Sequence, residues 1–210
     1  MMMKSLFRRL NANEDGVGFI EFAFAAPFLL LAICGGIELA NYALAHLRVN
    51  QIAMTVADNA GRIPVGVDEA NIYEVFEGAR VVAANMNMND DGRVVLSSLQ
   101  NNRQTGFRAG QTINWQRCWG GLDVQPAYGL EGKGANDSSL RQGMGADSNR
   151  IIAADGTAVM FVEVTYQYDP LIGVFWTPSE TIRHESAFNV RGRVNQDLSN
   201  TQRLPELTCA

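Results

Sequence analysis

The fold of this chain is decided by residues 17–37, which read VGFIEFAFAAPFLLLAICGGI. The stretch contains a single charged side chain, that of Glu21. As an α-helix with a rise of about 1.5 Å per residue it would span roughly 30 Å, the thickness of the hydrocarbon core of a bilayer. The sequence therefore predicts a membrane-spanning helix with a carboxylate at or within the lipid. A carboxylate costs up to about 3 kcal/mol at mid-depth, so its presence there requires a functional reason.

The residues before this stretch form a short basic leader that contains Lys4, Arg8 and Arg9 and ends at Gly16. An ordinary secretory signal is cut at small residues that follow its apolar core. Here the small residue, Gly16, precedes the apolar core, and Glu21 lies five positions beyond it. This arrangement is the one cut by prepilin peptidases, which act on the cytoplasmic side and leave the apolar helix on the mature protein.

The order Gly-x-x-x-x-Glu-Phe from Gly16 to Phe22 is followed by an alanine-rich apolar sequence and by Pro27-Phe28-Leu29-Leu30-Leu31. It resembles the TadE-like minor pseudopilins of tight-adherence (Flp-type) pilus systems, closely over residues 8–60 and more loosely over the final 55 residues. The resemblance implies cleavage by a prepilin peptidase between Gly16 and Val17. It also implies that Glu21, beside Phe22, neutralises the amino terminus of a neighbouring subunit during assembly.

That pairing is physically reasonable, because an ammonium and a carboxylate in a low dielectric are each costly alone and much less costly as a pair. The partners implied by the resemblance are a prepilin peptidase, other pilins or pseudopilins, and platform proteins of the pilus assembly machine. The function predicted is that of a minor pseudopilin, a structural component of pilus biogenesis.

An alternative interpretation is an uncleaved membrane anchor, with Glu21 at headgroup level and an exported domain that recognises an envelope ligand. Other export signals fit less well. Ala43-Leu44-Ala45 lies too far past the apolar core for signal peptidase I, and the residue before Cys34 in the lipobox-like Leu31–Cys34 is not small. Loss or retention of residues 1–16 distinguishes the two interpretations.

Basic residues give the orientation of the helix. Lys4, Arg8 and Arg9 lie on its N-terminal side, whereas only Arg48 follows within ten residues of Glu38. The positive-inside rule then predicts a single-pass protein with a cytoplasmic N-terminus and an exported C-terminal part. The resemblance implies that the membrane is the inner membrane and that the exported part is periplasmic. The predicted organisation is a leader at 1–16, a transmembrane and extended helix at 17–60, and an exported head at 61–210.

Composition and motifs argue against several classes of function. A net charge of −5 and an isoelectric point near 5.1 argue against a nucleic acid partner. The two histidines, His46 and His184, have no metal-ligand spacing, and no phosphate-binding loop or nucleophile motif is present. The sequence predicts neither an enzyme nor a cofactor. We expect His46 to be solvated or to cap a helix, and His184 to be a core residue of a strand.

The three cysteines divide between the membrane and the exported part. Cys34 lies within the spanning helix, whereas Cys118 and Cys209 follow it. An oxidising compartment permits a disulfide between the last two, and the alternative is two free thiols. The bond would close a loop of about 90 residues, with a stabilising ceiling near 4.5 kcal/mol.

The predicted fold class is α+β, in a pilin-like arrangement of a long N-terminal helix, a second helix and a small antiparallel sheet. Apolar periodicity continues the first helix to residue 60 and places a second helix at 68–86 with Asp68 as its N-cap. Candidate strands are 93–99, 112–118, 157–168 and 181–191. The last two should form an antiparallel pair with one face buried under a helix. Residues 120–150, rich in Gly, Asn, Ser and Asp, predict a long polar loop.

The turn between the last two strands is unusually apolar, since residues 170–178 read PLIGVFWTP. We expect its large side chains, Leu171, Ile172, Phe175 and Trp176, either to fold over the sheet edge as core or to contact a partner subunit or the membrane surface.

Overall fold

The first helix extends well beyond the length of a membrane span. The structure, a computed structural model, describes residues 16–146, 149–171 and 180–209. Helix α1 runs without interruption from Val17–Arg62, with Pro27 inside it, and is about 69 Å long at 1.5 Å per residue. It ends before Pro64, which lacks the N–H that a further turn would need. The prediction of one helix from residue 17 into the head is confirmed, and the helix ends two residues later than expected.

The C-terminal half of α1 belongs to the core of the head. Its buried residues recur every three or four positions and so form one face of the helix. They are Ala45, Val49, Ile52, Ala53, Val56, Ala57, Ala60 and Gly61. Because most are small, the helix axis can lie close to the surface against which it packs.

The second helix is set in place by Asp68, as predicted. Helix α2 spans Glu69–Val82, and the Asp68 carboxylate accepts a hydrogen bond from the backbone N–H of Ala70 at 3.2 Å. In return, the backbone N–H of Asp68 donates to Oδ1 of Asn71 at 3.1 Å. Such a reciprocal cap satisfies two otherwise unpaired donors of the first turn. The helix ends at Val82, four residues short of the predicted end, and a short helix α3, Met88–Asp91, follows.

A four-stranded antiparallel sheet forms the centre of the head. Its strands are β2 (Gly92–Asn101), β3 (Gln111–Trp119), β4 (Ala158–Tyr168) and β5 (Glu180–Asn189), and they lie side by side in the order β3-β2-β4-β5. The two-residue strands β1 (Val67–Asp68) and β6 (Leu198–Ser199) pair in parallel and hold the returning chain beside α2. The α+β class and the antiparallel pairing of β4 with β5 are confirmed.

One face of the sheet packs under the two helices. The sheet residues that join α1 and α2 in this core are Val94, Leu96, Trp115, Trp119, Ala158, Met160, Val162, Val164, Tyr168 and Ile182. Alternation along β4 sends Met160, Val162 and Val164 to the same side, which is the side predicted from the sequence.

The predicted burial of one face under a helix is confirmed, and the opposite face of the sheet is buried as well. Residues of the segments 120–146 and 149–153 lie over it and contribute Leu140, Met144 and Ala153 to a second core with Leu99, Ile113, Val159 and Phe161. This segment follows the prediction in having little regular secondary structure. Its role as a cover was not predicted, because its apolar residues are too widely spaced to give a period.

Hydrogen bonds fix this cover to the strands. The backbone N–H of Ala127 donates to Glu163 of β4 at 3.0 Å, and the Tyr128 hydroxyl donates to Glu185 of β5 at 2.9 Å. Gln111 of β3 exchanges two hydrogen bonds with the backbone of Ala153. The backbone of Ile113 also bonds residues 132 and 133, which protects the outer edge of β3 from pairing with another chain.

Candidate functional site

The N-terminal half of α1 exposes large apolar side chains on every side. None of the residues 17–37 is buried, and Phe19, Phe22 and Phe28 are 81%, 66% and 74% exposed. Successive helical residues are turned by about 100°, so these side chains surround the helix and do not form one stripe. A helix that is apolar all round requires an apolar environment. Among the described residues, α1 is the helix long and apolar enough to cross a membrane, and it is therefore a candidate membrane anchor.

The residues of the predicted cleavage site lie at the start of this exposed half. Gly16 precedes the first residue of α1, and its carbonyl accepts a hydrogen bond from the backbone N–H of Ile20 at 3.2 Å. Gly16, Val17, Glu21 and Phe22 are all exposed. No base pairs with Glu21 among the described residues. The site thus presents a carboxylate on an apolar surface, and a cation for it has to come from outside this part of the chain.

A second carboxylate, Glu38, marks the end of the exposed half. Glu38 is the first buried residue of α1, and the hydroxyl of Tyr168 donates to its Oε1 at 2.6 Å. Burial, and then the neighbouring Glu38 carboxylate, raise the pKa of Tyr168. The phenol therefore stays protonated and remains a donor. Tyr168 is the last residue of β4, so this bond joins the helix to the sheet where the apolar segment stops.

An aromatic row continues from this point along the interface of α1 and the sheet. The ring of Tyr42 lies 5.4 Å from that of Tyr168 and 4.6 Å from that of His46, measured between centroids. His46 in turn contacts His184 of β5, with Nδ1 of the first 3.3 Å from Nε2 of the second. One of these nitrogens must carry the proton and the other accept it.

These contacts correct both predictions for the histidines. His46 is half-buried against β5 and is neither solvated nor a cap, because it lies on the face of α1 that meets the sheet. His184 is half-buried as well, and burial followed by the nearby His46 lowers its pKa. The two residues are 138 positions apart, so no local pattern could bring them together. The one available signal was the spacing of His46, four residues after Tyr42 and three before Val49, which puts all three on one side of a helix.

The structure joins Cys118 and Cys209 in a disulfide, as expected, with their Cα atoms 5.0 Å apart. Cys34 is the free cysteine and is half-buried. The backbone N–H of Cys118 donates to the carbonyl of Leu207 at 2.7 Å, so the C-terminal segment lies alongside the end of β3. Tyr73 of α2 also donates to the carbonyl of Pro205 at 2.7 Å. The disulfide thus reinforces a tail that already has backbone partners.

A buried arginine next to the disulfide was not predicted. Nε of Arg117 donates to Oε1 of Glu69 at 2.7 Å, and its Nη1 lies 3.0 Å from Oε2 of Glu131. Its Nη2 is 3.7 Å from Oε2 of Glu206. Three acids from α2, the covering segment and the tail therefore meet on one guanidinium. Nothing in the sequence shows this cluster, because each member belongs to a different part of the chain.

Two predicted features fall largely outside the described residues. The leader residues 1–15 lie outside them, and so do Ile172, Phe175 and Trp176 of the apolar turn. Leu171, the first large side chain of that turn, is 70% exposed. Within the described ranges, no cluster of three His, Cys, Asp or Glu residues has the arrangement of a metal site.

Together these observations define a class of protein in which a candidate membrane helix continues into an α+β head. Comparison with known protein families gives a match to this helix. The family model described as TadE-like protein matches residues 16–58, which begin at Gly16 and include nearly all of α1. The resemblance stated from the sequence is confirmed over this region. No curated protein and no solved structure matches the chain.

Proposed function

We propose that this protein is a minor pseudopilin of Tad pilus biogenesis, held in the inner membrane by residues 17–37. The observation that carries the proposal is a single uninterrupted helix with two environments, overlapped by the TadE-like match. Its first half is exposed and apolar on all sides, and its second half packs in the head. In this proposal the N-terminus is cytoplasmic, and the head, residues 61–210, is periplasmic.

Processing by a prepilin peptidase is the second part of the proposal. Cleavage after Gly16 would give Val17 a free ammonium, four residues before Glu21 on an exposed apolar helix. Subunits that pack through these helices would place the ammonium of one beside the carboxylate of another. Each charge then compensates the desolvation of its neighbour, which a lone Glu21 in lipid lacks.

The disulfide supports the proposed location of the head. Disulfides persist in oxidising compartments, which include the bacterial periplasm, and are rare in the cytosol. Cys118 and Cys209 both lie beyond the apolar half of α1, in the part that would be exported. The partners in this proposal are the prepilin peptidase, other pilins or pseudopilins, and proteins of the assembly platform.

The mass of the mature protein tests the proposal. The full chain is expressed with and without an active prepilin peptidase, extracted from membranes, and measured intact by mass spectrometry. We expect residues 1–16 to be lost only when the peptidase is present, and N-terminal sequencing to begin at Val17. A leader retained beside a peptidase that cleaves a known prepilin in the same cells would refute processing and favour the uncleaved anchor.

A further inference from the structure

A groove opens between α1 and the end of the sheet, at the level where the exposed half of the helix stops. It encloses about 580 Å³ and is lined by residues from Leu31 to Tyr42 on the helix and by Tyr168 and Glu180 on the sheet. This volume is in the range of about 300–1,000 Å³ that is typical of small-molecule sites. The lower part of the groove, nearer to residue 31, and the upper part, nearer to the head, are lined by described residues of different polarity.

The lower part of the groove is apolar and continuous with the exposed surface of α1. Leu31, Gly35 and Gly36 line it, and Leu31 is 47% exposed. A Cβ added at Gly35 or Gly36 would meet no other atom within 4 Å, so the space beside the helix is open there. An alkyl chain that lies along the helix can enter the groove at this end without displacing protein.

The upper part of the groove combines two carboxylates with two aromatic rings. Glu38 accepts the hydrogen bond of Tyr168, and the hydroxyl of Tyr42 faces the carboxylate of Glu180. The Tyr42 and Tyr168 rings are 5.4 Å apart between centroids. The described lining includes these two acids and no lysine or arginine. Carboxylates and aromatic faces both attract an ammonium group, and both disfavour an anion.

We propose that this groove binds a phospholipid with a primary ammonium headgroup, of the phosphatidylethanolamine type. The ammonium lies against Glu180 and the tyrosine rings, and an acyl chain follows Leu31, Gly35 and Gly36 toward the lipid. The inference rests on the proposed membrane insertion of residues 17–37, which puts the upper part of the groove at headgroup depth. The negative upper part selects against lipids whose headgroups carry only phosphate.

Lipid retention in native mass spectrometry tests this inference. The full chain is reconstituted in nanodiscs that contain equal amounts of phosphatidylethanolamine and phosphatidylglycerol, then released and weighed with its bound lipid. We expect phosphatidylethanolamine to be retained in several-fold excess. Retention of the two lipids in equal amounts would overturn the proposal.

Three variants make the test specific. Glu180→Gln removes one carboxylate and should reduce the excess of phosphatidylethanolamine several-fold. Gly36→Leu fills the lower part without touching the head and should reduce the retention of any lipid. Glu185→Gln, on the same strand but bonded to Tyr128 on the opposite face of the sheet, is the matched control and should behave as the wild type. An unchanged lipid ratio in Glu180→Gln would contradict the proposal.

Two further measurements test the occupant of the groove and the membrane anchor separately. A Leu39→Cys substitution, in a Cys34→Ser background, reports on a protein neighbour. A disulfide-linked dimer would assign the groove to a second copy of the chain and overturn the lipid site, whereas a monomer supports it. Carbonate extraction reports on the anchor itself. A protein released by carbonate refutes the proposed insertion, whereas an integral protein without lipid preference refutes only the groove.

Discussion

Glu21 and Glu38 lie on the same helix, about 26 Å apart along its axis, in opposite environments. Glu38 is buried, but the hydroxyl of Tyr168 satisfies its carboxylate. Glu21 is exposed among apolar side chains, and no described residue supplies a cation. The carboxylate of Glu38 is part of the fold, whereas that of Glu21 depends on something outside the described chain.

Glu21→Ala should therefore leave the protein in the membrane while impairing pilus assembly. Insertion becomes easier because the substitution removes a charge that costs up to about 3 kcal/mol in lipid. Membrane fractionation measures the first effect, and recovery of sheared pili measures the second. Glu77→Ala, at an exposed acid of α2 that pairs with Arg80, is the control and should change neither. Normal piliation of the Glu21→Ala strain would remove the proposed pairing role.

Gly16→Val should block removal of the leader, because it places a branched side chain directly before the scissile bond, where glycine has no Cβ. The expected result is a protein heavier by residues 1–16 in cells that contain the peptidase. Gly35→Val makes the same chemical change where a Cβ meets open space, far from the junction, and should be processed normally. Maturation of Gly16→Val to the wild-type mass would show that the cleavage site lies elsewhere.

At the scale of the elements, α1 and the sheet are brought together by small side chains. Ala53 and Ala57 are fully buried at this interface. Ala57→Leu should destabilise the head by about 1–3 kcal/mol, since added methylenes in a packed core force shifts in the backbone or in rotamers. Denaturant unfolding followed by tryptophan fluorescence measures the change. Met54→Leu, 43% exposed on the same helix, should leave the unfolding midpoint where it is.

Asp68 joins three elements and predicts a dependence of stability on pH. The backbone N–H of Thr201 is the main cause that lowers its pKa to about 2, and Ala70 and the Ser199 hydroxyl add to the effect. The unfolded value is about 3.9, so the folded state holds the proton less tightly. The stabilisation is thus complete above about pH 4 and is lost as pH falls toward 2.

Asp68→Asn should accordingly unfold at a lower temperature than the wild type at pH 7, and the difference should shrink as pH falls from 4 to 2. Thermal melts at several pH values, followed by circular dichroism, measure it. Asp123→Asn, at an exposed site, should show no such convergence. A difference that stays constant down to pH 2 would mean that the carboxylate is not the stabilising group.

Elements with a regular period and the pairing of β4 with β5 could be predicted, but the cover over the second face of the sheet could not. The spacing of apolar residues predicted α1. The alternation from Met160 to Tyr168 predicted β4 and the side of it that faces the helices. The cover over the second face has no period, since Tyr128, Leu140 and Met144 are separated by polar turns. Its position depends on bonds to strands far away in the sequence, such as that between Ala127 and Glu163.

The residues of the candidate site likewise divide into those that the sequence could predict and those that it could not. Gly16 and Glu21 are local features of the sequence, and the family match begins at the first of them. Contacts such as His46 with His184, or Arg117 with Glu69, depend on which elements the sheet topology places side by side. Cysteines were the exception at long range, because the predicted export of the head and the position of Cys34 left only one pair.

For the molecule as a whole, the disulfide links the last residues to the sheet across a separation of 91 positions. Cys209→Ser should lower the stability of the head by a few kcal/mol, with a ceiling of about 4–5 from loop entropy. The loss should first release the tail, so the amide of Cys118 should exchange faster in hydrogen exchange. Cys34→Ser, which breaks no bond, is the control. Equal unfolding of wild type and Cys209→Ser without reductant would contradict a structural role.

The continuity of α1 also fixes how the head is oriented. Successive residues of an α-helix are rotated by about 100° about its axis. In a continuous helix, the directions of the side chains at 17–37 are therefore fixed relative to the side chains that face the sheet. Pro27 precedes Glu38, the first buried residue of the helix. A bend at Pro27 would therefore tilt the rest of α1 and the head together. Neighbouring subunits that pack against residues 17–37 would thereby fix the rotational orientation of the sheet about the helix axis. A rotation imposed on one end of the helix would be transmitted to the other.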